Sequence, residues 1–503
     1  MLAESRITAP GQDPMSAPRD ALTVFTPLPP EQNGIADYAA LLLAALAAHY
    51  DCAAACEDWL AEAPAGIPVI DPALAHRHLA PGGRVLHQLG NNPGHGFVLR
   101  ALRQHPGVTT LHDPGLLHLH ETAGEGVAAI LAGMADTHPA LAPYARHLRD
   151  HGLSSRANHL LFDLAGETLA RSRAVVVHSH FAAARLRALH GAARTEHVAV
   201  VMHPLPPGSM PERAEARARL GIAADVFLVL TAGFATAAKR FDWLIEALEQ
   251  AIAAGAELRW IHAGAERAEE FALSARIAER PALAGRAQVT GWLAEAALTD
   301  HIAAADVLVN LRFPSAGESS GTLARGFAAG VCCIVSDTAG YAELPREAVL
   351  HIPLAGATPA LAAALGALAR DPALARAIGA AGRRFALREM ALPAVAEAYR
   401  AVIEEARERT VAASPAGDVA LRVLEAGPGL SAAAVEAALA GATGPCRLFL
   451  AAPDLGALAV LTLDRPALLK AVLPPWAGLR AVRVQAPPAH PGLLLDLDLP
   501  WRP

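Results

Sequence analysis

A loop of small and polar residues near position 318 has the composition needed to bind an anion. Within residues 309–345, VNLRFPSAGESSGTLARGFAAGVCCIVSDTAGYAELP, a strand-like run ends, a Gly-Glu-Ser-Ser-Gly loop follows, and a helix is predicted to begin. The N–H groups of Ser319, Ser320 and Gly321 would lack helical partners, and either serine can cap the helix. This helix end can present donors to a phosphate or to sugar hydroxyls, and Glu318 adds an acceptor. Taken alone, these residues also fit a capped surface helix.

A second segment, LVLTAGFATAAKRFDWLIEAL, supplies positive charge in a comparable position. It places Gly233 at the end of a predicted strand, with Lys239 and Arg240 just before a predicted helix. These cations can face the same ligand as the loop that contains Glu318.

Candidate ligand contacts also occur in the first half of the chain. His112 directly follows the predicted strand GVTTL, at the carboxyl edge where α/β sheets bind ligands, although a structural role is common for a single histidine. Asp113 is the second candidate there. Gly34, in PLPPEQNGIADY, either permits close approach of a ligand to the backbone or makes a turn before the helix. Asn91 and Asn92, in HQLGNNPGH, are further candidates.

The segments around Lys239 and Glu318 resemble the donor-binding motifs of family 4 retaining glycosyltransferases, and the loops near Asn91 and His112 resemble those of a polysaccharide-associated branch. In this family a Gly-rich strand end, a lysine before a helix and a glutamate-containing loop bind a sugar nucleotide. The resemblance covers residues 22–409 and implies the GT-B architecture. The nucleotide would then bind the C-terminal domain, the acceptor would bind mostly the N-terminal domain, and the reaction would occur in the cleft between them.

The resemblance also implies roles for individual residues. By matching position, Lys239 would hold the diphosphate, Glu318 would hold the donor sugar, and His112 would lie in the catalytic cleft. The implied donor contacts are Gly34, Gly233, Arg240, Gly317, Ser319, Ser320 and Gly321. Acceptor-side contacts are expected from Asn91, Asn92 and Asp113.

The sequence departs from the family pattern at two positions. A second glutamate usually follows the loop glutamate by eight positions and accepts from the ribose, but this chain has Gly326 there. We therefore expect weaker nucleotide binding unless Arg325 or another group compensates. Phe234 stands where many relatives carry an arginine after the strand-end glycine. Glu343, in TAGYAELP, matches a frequent family carboxylate, and a structural role at that turn is equally compatible.

We expect neither a metal nor a cofactor beyond the substrate, a UDP- or GDP-linked sugar. A helix N-terminus and a lysine can replace a divalent ion electrostatically at a leaving diphosphate. The triplet Asp496–Asp498 resembles a metal-binding DxD motif but lies in an alternating leucine run at the chain end, which favours coincidence. The resemblance implies retention of configuration by same-face attack, so no carboxylate nucleophile is assigned.

Two series of alternating strand and helix patterns position these residues. They predict an α/β fold of two tandem, doubly wound Rossmann-like domains that face each other across a cleft, with a small C-terminal appendage. The predicted divisions are a disordered leader (1–20), an N-terminal acceptor domain (21–205), a donor-nucleotide domain (206–386), a crossing helix (387–410) and a tail of unassigned function (411–503).

Composition limits the remaining classes of protein. The chain has 503 residues, 53% of them hydrophobic, with a net charge of -7 and a pI near 6.3, so no basic surface for nucleic acid is indicated. The five cysteines lack CxxC spacing, which argues against a zinc site and favours a reducing cytoplasm. Without a signal peptide or a long apolar run, we expect at most peripheral contact with the inner face of the membrane.

The function predicted from the sequence is transfer of a hexose from a nucleotide sugar to a glycan or lipid-linked acceptor. One alternative is a catalytically silent relative that binds sugar nucleotides or glycans. Another is a sugar-nucleotide epimerase or a phosphorylase of the same architecture, for which no distinctive acid/base set is seen. A nicotinamide dehydrogenase is disfavoured because GxGxxG follows none of the predicted strands.

Overall fold

A computed structural model describes residues 19–58, 60–77, 79, 83–123, 127–151, 157–411, 420–426, 430–442, 444–485 and 491–499. Most of the predicted leader, residues 1–18, and parts of the predicted tail lie outside these ranges. Within them the chain forms two parallel α/β domains in tandem, as the alternating patterns predict, followed by a smaller α/β unit.

The N-terminal domain is built on a parallel sheet with the order β3-β2-β1-β4-β5-β6-β7 within the described ranges. Its strands are β1 (Ala21–Phe25), β2 (Asp51–Ala55), β3 (Val69–Ile70), β4 (Arg84–Leu89), β5 (Val108–Leu111), β6 (Ala174–Val177) and β7 (Val198–Val200). Its helices are α1 (Gly34–Leu46), α2 (Gly96–Gln104), α3 (Leu117–Thr122), α4 (Val127–Thr137), α5 (Ala142–Asp150), α6 (Asn158–Leu161), α7 (Gly166–Arg171) and α8 (His180–His190). The sequence pattern did not predict β2, because its residues, DCAAA, have weak intrinsic preference for strands.

The second domain contains a parallel sheet with the order β10-β9-β8-β11-β12-β13 in the described part of the chain. Its strands are β8 (Leu228–Ala232), β9 (Arg259–Ala263), β10 (Ala287–Val289), β11 (Val307–Asn310), β12 (Cys332–Ser336) and β13 (Leu350–Ile352). Its helices are α9 (Arg213–Leu220), α10 (Phe241–Ala253), α11 (Ala268–Phe271), α12 (Leu273–Ala278), α13 (Glu295–Ala304), α14 (Gly321–Ala329), α15 (Ala357–Arg370) and α16 (Pro372–Glu389). The inner strands β8, β11 and β12 are buried, as expected for a parallel sheet covered by helices on both faces, whereas the edge strands β10 and β13 are partly exposed.

The chain then crosses back to the N-terminal domain through α17 (Leu392–Glu405). This helix begins at Leu392, not at 387, because α16 continues to Glu389 and Pro393 suits only the first turn of a new helix. The hydroxyl of Tyr399, buried against the first domain, lies 2.7 Å from that of Tyr38 and 2.9 Å from that of Thr110.

A mixed sheet with the order β14-β15-β17-β16 forms the C-terminal unit. Its strands are β14 (Ala420–Glu425), β15 (Gly444–Ala451), β16 (Gly478–Gln485) and β17 (Gly492–Leu499), and its helices are α18 (Ala432–Ala438), α19 (Leu455–Leu463) and α20 (Arg465–Val472). The Asp496–Asp498 triplet is part of β17, whose backbone pairs with β15 and β16. Arg447 forms an ion pair with Asp71, which joins this unit to the first domain. Across the described residues, no helix is long and apolar enough to traverse a bilayer.

An ion pair anchors α17 to the first domain and yields a pH-dependent prediction. Arg84, almost fully buried, donates to Glu404 at 2.6 and 2.8 Å and to Asp20 at 2.6 Å. The hydrogen bonds from Arg84 lower the pKa of Glu404 to about 2, against roughly 4.3 for an unfolded glutamate. We predict that Glu404→Gln lowers the free energy of unfolding by about 2 kcal/mol at pH 7.

The pH dependence of that loss follows from the lowered pKa of Glu404. The stabilisation is complete above the unfolded pKa and is lost as the pH falls towards 2, so wild type and variant should converge there. Urea unfolding at pH 7, 4 and 2.5 measures this, with Glu405→Gln, an exposed neighbour, as the control. A constant difference between wild type and Glu404→Gln at all three pH values would contradict the assignment.

Candidate active site

The candidate site lies where the carboxyl ends of the strands in the two domains approach each other. In the second domain the chain leaves β8 towards β9 and later returns on the other side of β8 as β11. This reversal of direction opens a crevice at the carboxyl ends of β8 and β11, the usual ligand position in open α/β sheets.

Two glycines near the end of β8 leave the space that the side chain of Lys239 occupies. Gly233 has a left-handed φ of +80°, and a Cβ there would lie 2.9 Å from the Nζ atom of Lys239. A Cβ on Gly264 would lie 2.2 Å from the carbonyl oxygen of Gly233, so only glycine fits behind this turn. Lys239 can therefore lie across the strand end, where its Nζ donates to the carbonyl oxygen of Ala232 at 2.8 Å.

The lysine is held in a form that titrates near neutral pH. Burial, followed by the positive charge of Arg312, lowers the pKa of Lys239 to about 7. An anion beside Lys239 would oppose both effects, because a nearby negative charge favours the protonated amine. The side chain is therefore poised to gain a proton when an anionic ligand binds.

The start of α14 offers backbone donors beside this lysine. Ser320, not Ser319, is the helix cap: its Oγ accepts from the N–H of Leu323 at 3.3 Å and donates to Asn310 at 3.2 Å. Within the described residues, the N–H groups of Gly321 and Thr322 make no hydrogen bond to a protein acceptor. The hydroxyl of Thr322 lies 3.8 Å from a Cβ placed on Gly233, so the first turn of α14 adjoins the end of β8.

Glu318 organises the loop before this helix. One carboxylate oxygen accepts from the Oγ of Ser315 at 3.0 Å and from the N–H groups of Ala316 and Gly317 at 2.9 and 3.1 Å. The other lies 3.2 Å from the Nε of Arg312, an ion pair mostly shielded from solvent. Glu318 thus faces its own loop in this arrangement, and Gly317, with φ +109°, allows the turn that brings it there.

Arg312 is a cation of the site that the sequence motifs did not predict. It lies two residues beyond the end of β11, its charge acts on Lys239, and it pairs with Glu318. The available signal was its position two residues after a buried strand, at the carboxyl edge of the sheet. Arg240, predicted as a donor-binding cation, instead forms an ion pair with Asp242 in the first turn of the following helix, α10, and its guanidinium lies 4.2 Å from the ring of Trp243.

The two departures from the family pattern have different structural settings. A Cβ on Gly326 would lie 2.5 Å from Leu308 and 2.9 Å from the Sγ of Cys333, so position 326 faces the core and not the first turn of α14. The partly buried side chain of its neighbour Arg325 pairs with Glu295 through two 3.0 Å contacts. The ring of Phe234 is exposed, and the guanidinium of Arg267 lies over it, 4.7 Å from the ring centroid.

The N-terminal domain contributes loops after β1, β4 and β5. Gly34 is the first residue of α1, is preceded by the cap Asn33, and would have open space around an added Cβ. The Oδ1 atoms of Asn91 and Asn92 accept from the N–H groups of Leu119 and Gly94, so both side chains stabilise their own loop region. These placements give the two asparagines a structural role beside the predicted acceptor-side one.

Asp113 and His112 follow β5 at the domain junction. The carboxylate of Asp113 accepts from the N–H of Asn91 at 2.9 Å, and burial raises its pKa, with a smaller contribution from the charge of Glu318 across the junction. His112 is buried, with Nε2 2.7 Å from Gln88 and Nδ1 3.2 Å from His178. Its ring nitrogens therefore face protein groups and not the crevice.

The surroundings of His112 keep it neutral. Burial, aided by the neighbouring ring of His178, holds the pKa of His112 well below its ordinary value. Burial also lowers the pKa of His178 to about 4 and that of His203 to about 3. These three rings surround Tyr38, whose ring centroid lies 4.6 to 5.4 Å from theirs. In the described chain, no group of three His, Cys, Asp or Glu side chains has the arrangement of a metal site.

Comparisons with known proteins agree with this geometry. Residues 226–371 match the family described as "Glycosyl transferases group 1". This match covers the second domain, including Lys239, Arg312 and Glu318. No curated protein sequence matches the chain significantly.

Solved structures resemble the chain over both large domains. HepE of Anabaena, solved with UDP and glucose, is 13% identical with a TM-score of 0.54 over 77% of this chain and 100% of that one. Sucrose-phosphate synthase from Thermosynechococcus elongatus is 20% identical with a TM-score of 0.55 over 77% and 99%. WaaG, a glycosyltransferase involved in lipopolysaccharide biosynthesis, is 17% identical with a TM-score of 0.51 over 76% and 99%.

These likenesses confirm the predicted GT-B fold of two Rossmann-like domains. The match of residues 226–371 to the group 1 glycosyltransferases agrees with this fold.

The orientation of position 326 gives a prediction about the missing family glutamate. Gly326→Glu should lower the free energy of unfolding by more than about 3 kcal/mol, because it forces a carboxylate against Leu308 and Cys333. Arg325→Gln, one residue earlier, mainly removes an ion pair with the exposed Glu295 and should lose less than about 1 kcal/mol. Chemical denaturation of both variants compares them, and equal losses would contradict the inward orientation.

Proposed function

We propose that the chain is a retaining hexosyltransferase of the polysaccharide-associated branch of family 4, which transfers a hexose from a UDP- or GDP-sugar to a glycan or lipid-linked acceptor without an essential metal. The observation that carries the proposal is the open first turn of α14 beside Lys239 and Arg312 at the β8–β11 crevice. A diphosphate placed there receives backbone N–H groups and two cations together.

The chemistry follows from where charge develops. As the bond between the anomeric carbon and the diphosphate oxygen breaks, negative charge grows on the diphosphate and positive charge on the sugar. Lys239, Arg312 and the N–H groups of Gly321 and Thr322 stabilise the negative charge. The acceptor oxygen attacks from the face that the diphosphate leaves, and its proton passes to a departing phosphate oxygen, so the configuration is retained and no protein nucleophile is required.

Glu318 is proposed to bind hydroxyl groups of the donor sugar. Its carboxylate lies beside Arg312 and Gly317, next to the proposed diphosphate position. Asp113 lies across the junction, close enough for its pKa to respond to the charge of Glu318, and is proposed to act on the acceptor side. HepE was solved with UDP, which makes uridine nucleotides the first donors to test.

A catalytically silent sugar-nucleotide-binding protein is the second candidate. Two observations favour it: Phe234 replaces a family arginine, and the ring nitrogens of His112 face Gln88 and His178 instead of the crevice. Such a protein would bind the donor but would not release its diphosphate.

Turnover of a panel of UDP- and GDP-hexoses, with and without chelator, tests the proposal. Diphosphate release in the presence of glycan or lipid-linked acceptors should persist in chelator. It should fall about 100-fold or more in Lys239→Ala, which loses one stabilising donor, and should also fall in Glu318→Ala. Lys470→Ala, on the exposed surface of the C-terminal unit, is the matched lysine control and should keep full activity.

The outcomes of this assay separate the candidates. Donor binding without diphosphate release in the presence of any acceptor would support the silent protein. Chelator-sensitive release would contradict metal independence, and full activity in Lys239→Ala would contradict the site.

The lowered pKa of Lys239 predicts that nucleotide diphosphate binding takes up a proton. In the free protein the amine is largely neutral above pH 7, whereas the diphosphate favours its charged form. Affinity for UDP should therefore fall by up to about tenfold per pH unit as the pH rises above 7. Titration calorimetry at pH 8 in buffers of different ionisation enthalpy should show uptake of close to one proton.

Lys239→Arg provides the control, because arginine stays charged throughout this pH range. The phosphate titration of UDP itself is common to both proteins. Proton uptake by wild type should exceed that by Lys239→Arg, and equal uptake in the two proteins would contradict the assignment.

A further inference from the structure

The first turn of α8 in the N-terminal domain is capped partly from the other domain. Ser179 precedes the helix, and its Oγ accepts from the N–H of Ala182 at 3.1 Å. The N–H groups of His180 and Phe181 instead donate to the two carboxylate oxygens of Glu343, the first of them at 2.9 Å. Glu343 ends a single 3-10 turn, Ala339–Glu343, that follows β12.

This contact is closely fitted on both sides. A Cβ on Gly340 would lie 3.0 Å from both the Cβ and the Oγ of Ser179, so a larger residue would push the turn away from the helix. The ring of Phe181 lies 3.1 Å from a Cβ position on Gly317, the residue before Glu318. The start of α8 therefore touches the 3-10 turn and also the loop that holds the proposed donor-binding carboxylate.

The packing of α17 and the contact of Glu343 both connect the domains, and they differ in solvent exposure. On one side, α17 is packed into the first domain through fully buried residues such as Tyr399. The contact between Glu343 and α8 is exposed to solvent. A carboxylate at an exposed helix start contributes a weak, salt-sensitive attraction, which can form and break as the domains close and open.

We propose that Glu343 is a positioning residue that holds the two domains closed by capping α8 across the cleft. In the closed arrangement Phe181 supports Gly317, and the loop containing Arg312 and Glu318 is kept in its donor-binding shape. The effect on donor binding rests on the proposed function, whereas the effect on closure does not. Glu343 therefore acts on donor affinity through Phe181 and is not a catalytic residue.

Closure is tested on the full chain without any turnover. The variants are Glu343→Ala and Glu343→Gln, with Glu347→Gln, an exposed neighbour, as the control. Amide hydrogen exchange at His180 and Phe181 should quicken about threefold or more in Glu343→Ala and less in Glu343→Gln, whose amide oxygen still accepts one bond. X-ray scattering should show a larger mean radius of gyration in Glu343→Ala than in Glu343→Gln, and a larger one in Glu343→Gln than in the wild type. Exchange and scattering indistinguishable from those of Glu347→Gln would overturn the proposal.

A cross-linked variant covers the case in which Glu343→Ala unfolds. A Ser179→Cys, Gly340→Cys pair joins the two segments. Their Cβ positions lie 3.0 Å apart, less than the roughly 3.5–4.5 Å of disulfides, so the turn must move slightly away from α8 to form the bond. Built into Glu343→Gln, the pair should give the compact wild-type scattering profile when oxidised and the more open Glu343→Gln profile when reduced. If oxidation leaves the profile unchanged from that of the reduced protein, the two segments do not close the cleft.

Steady-state kinetics then separates positioning from a general loss of stability. Glu343→Ala should raise the donor KM about threefold to tenfold and leave kcat within about twofold, with Glu343→Gln in between. A fall in kcat at unchanged KM would overturn the positioning role. An inactive wild type would refute the proposed function alone, because exchange and scattering still decide whether Glu343 holds the domains closed.

Discussion

The carboxylate of Glu318 is the group on which the rest of the candidate site depends. A loop that joins a buried strand to a helix has several N–H groups that require partners. Glu318 supplies acceptors for Ala316 and Gly317, and it also fixes the guanidinium of Arg312 beside Lys239. Because the loop is satisfied from within, Ser320 can cap α14, and the open turn of the helix remains available to an anion.

The second constraint is that the two halves of the site belong to different domains. Buried contacts of α17 keep the domains attached, and the exposed cap from Glu343 to α8 can open without exposing a core. Around His112, burial holds several imidazoles neutral, so charge in the crevice comes from lysine, arginine and carboxylates and not from histidine. A site of this kind can stabilise a dianionic leaving group and still admit and release substrate by domain movement.

The sequence predicted the features that depend on local patterns. Strands of branched apolar residues, the glycine at the end of β8 and the Gly-Glu-Ser-Ser-Gly helix start are all visible in short segments. Strand β2 was missed because alanine and cysteine carry little strand signal. Sequence spacing does not encode the pairing of Arg240 with Asp242, the effect of the Arg312 charge on Lys239, or the contact of Glu343 with the other domain. The inward orientation of Gly326 likewise depends on how α14 packs against β11.

A crystal structure of the protein with UDP tests the central claim most directly. The account predicts that the β-phosphate lies within hydrogen-bonding distance of the N–H groups of Gly321 and Thr322, with the Nζ of Lys239 and the guanidinium of Arg312 beside it. Nucleotide bound at another edge of the sheet, or a diphosphate that contacts neither Lys239 nor the first turn of α14, would contradict the account.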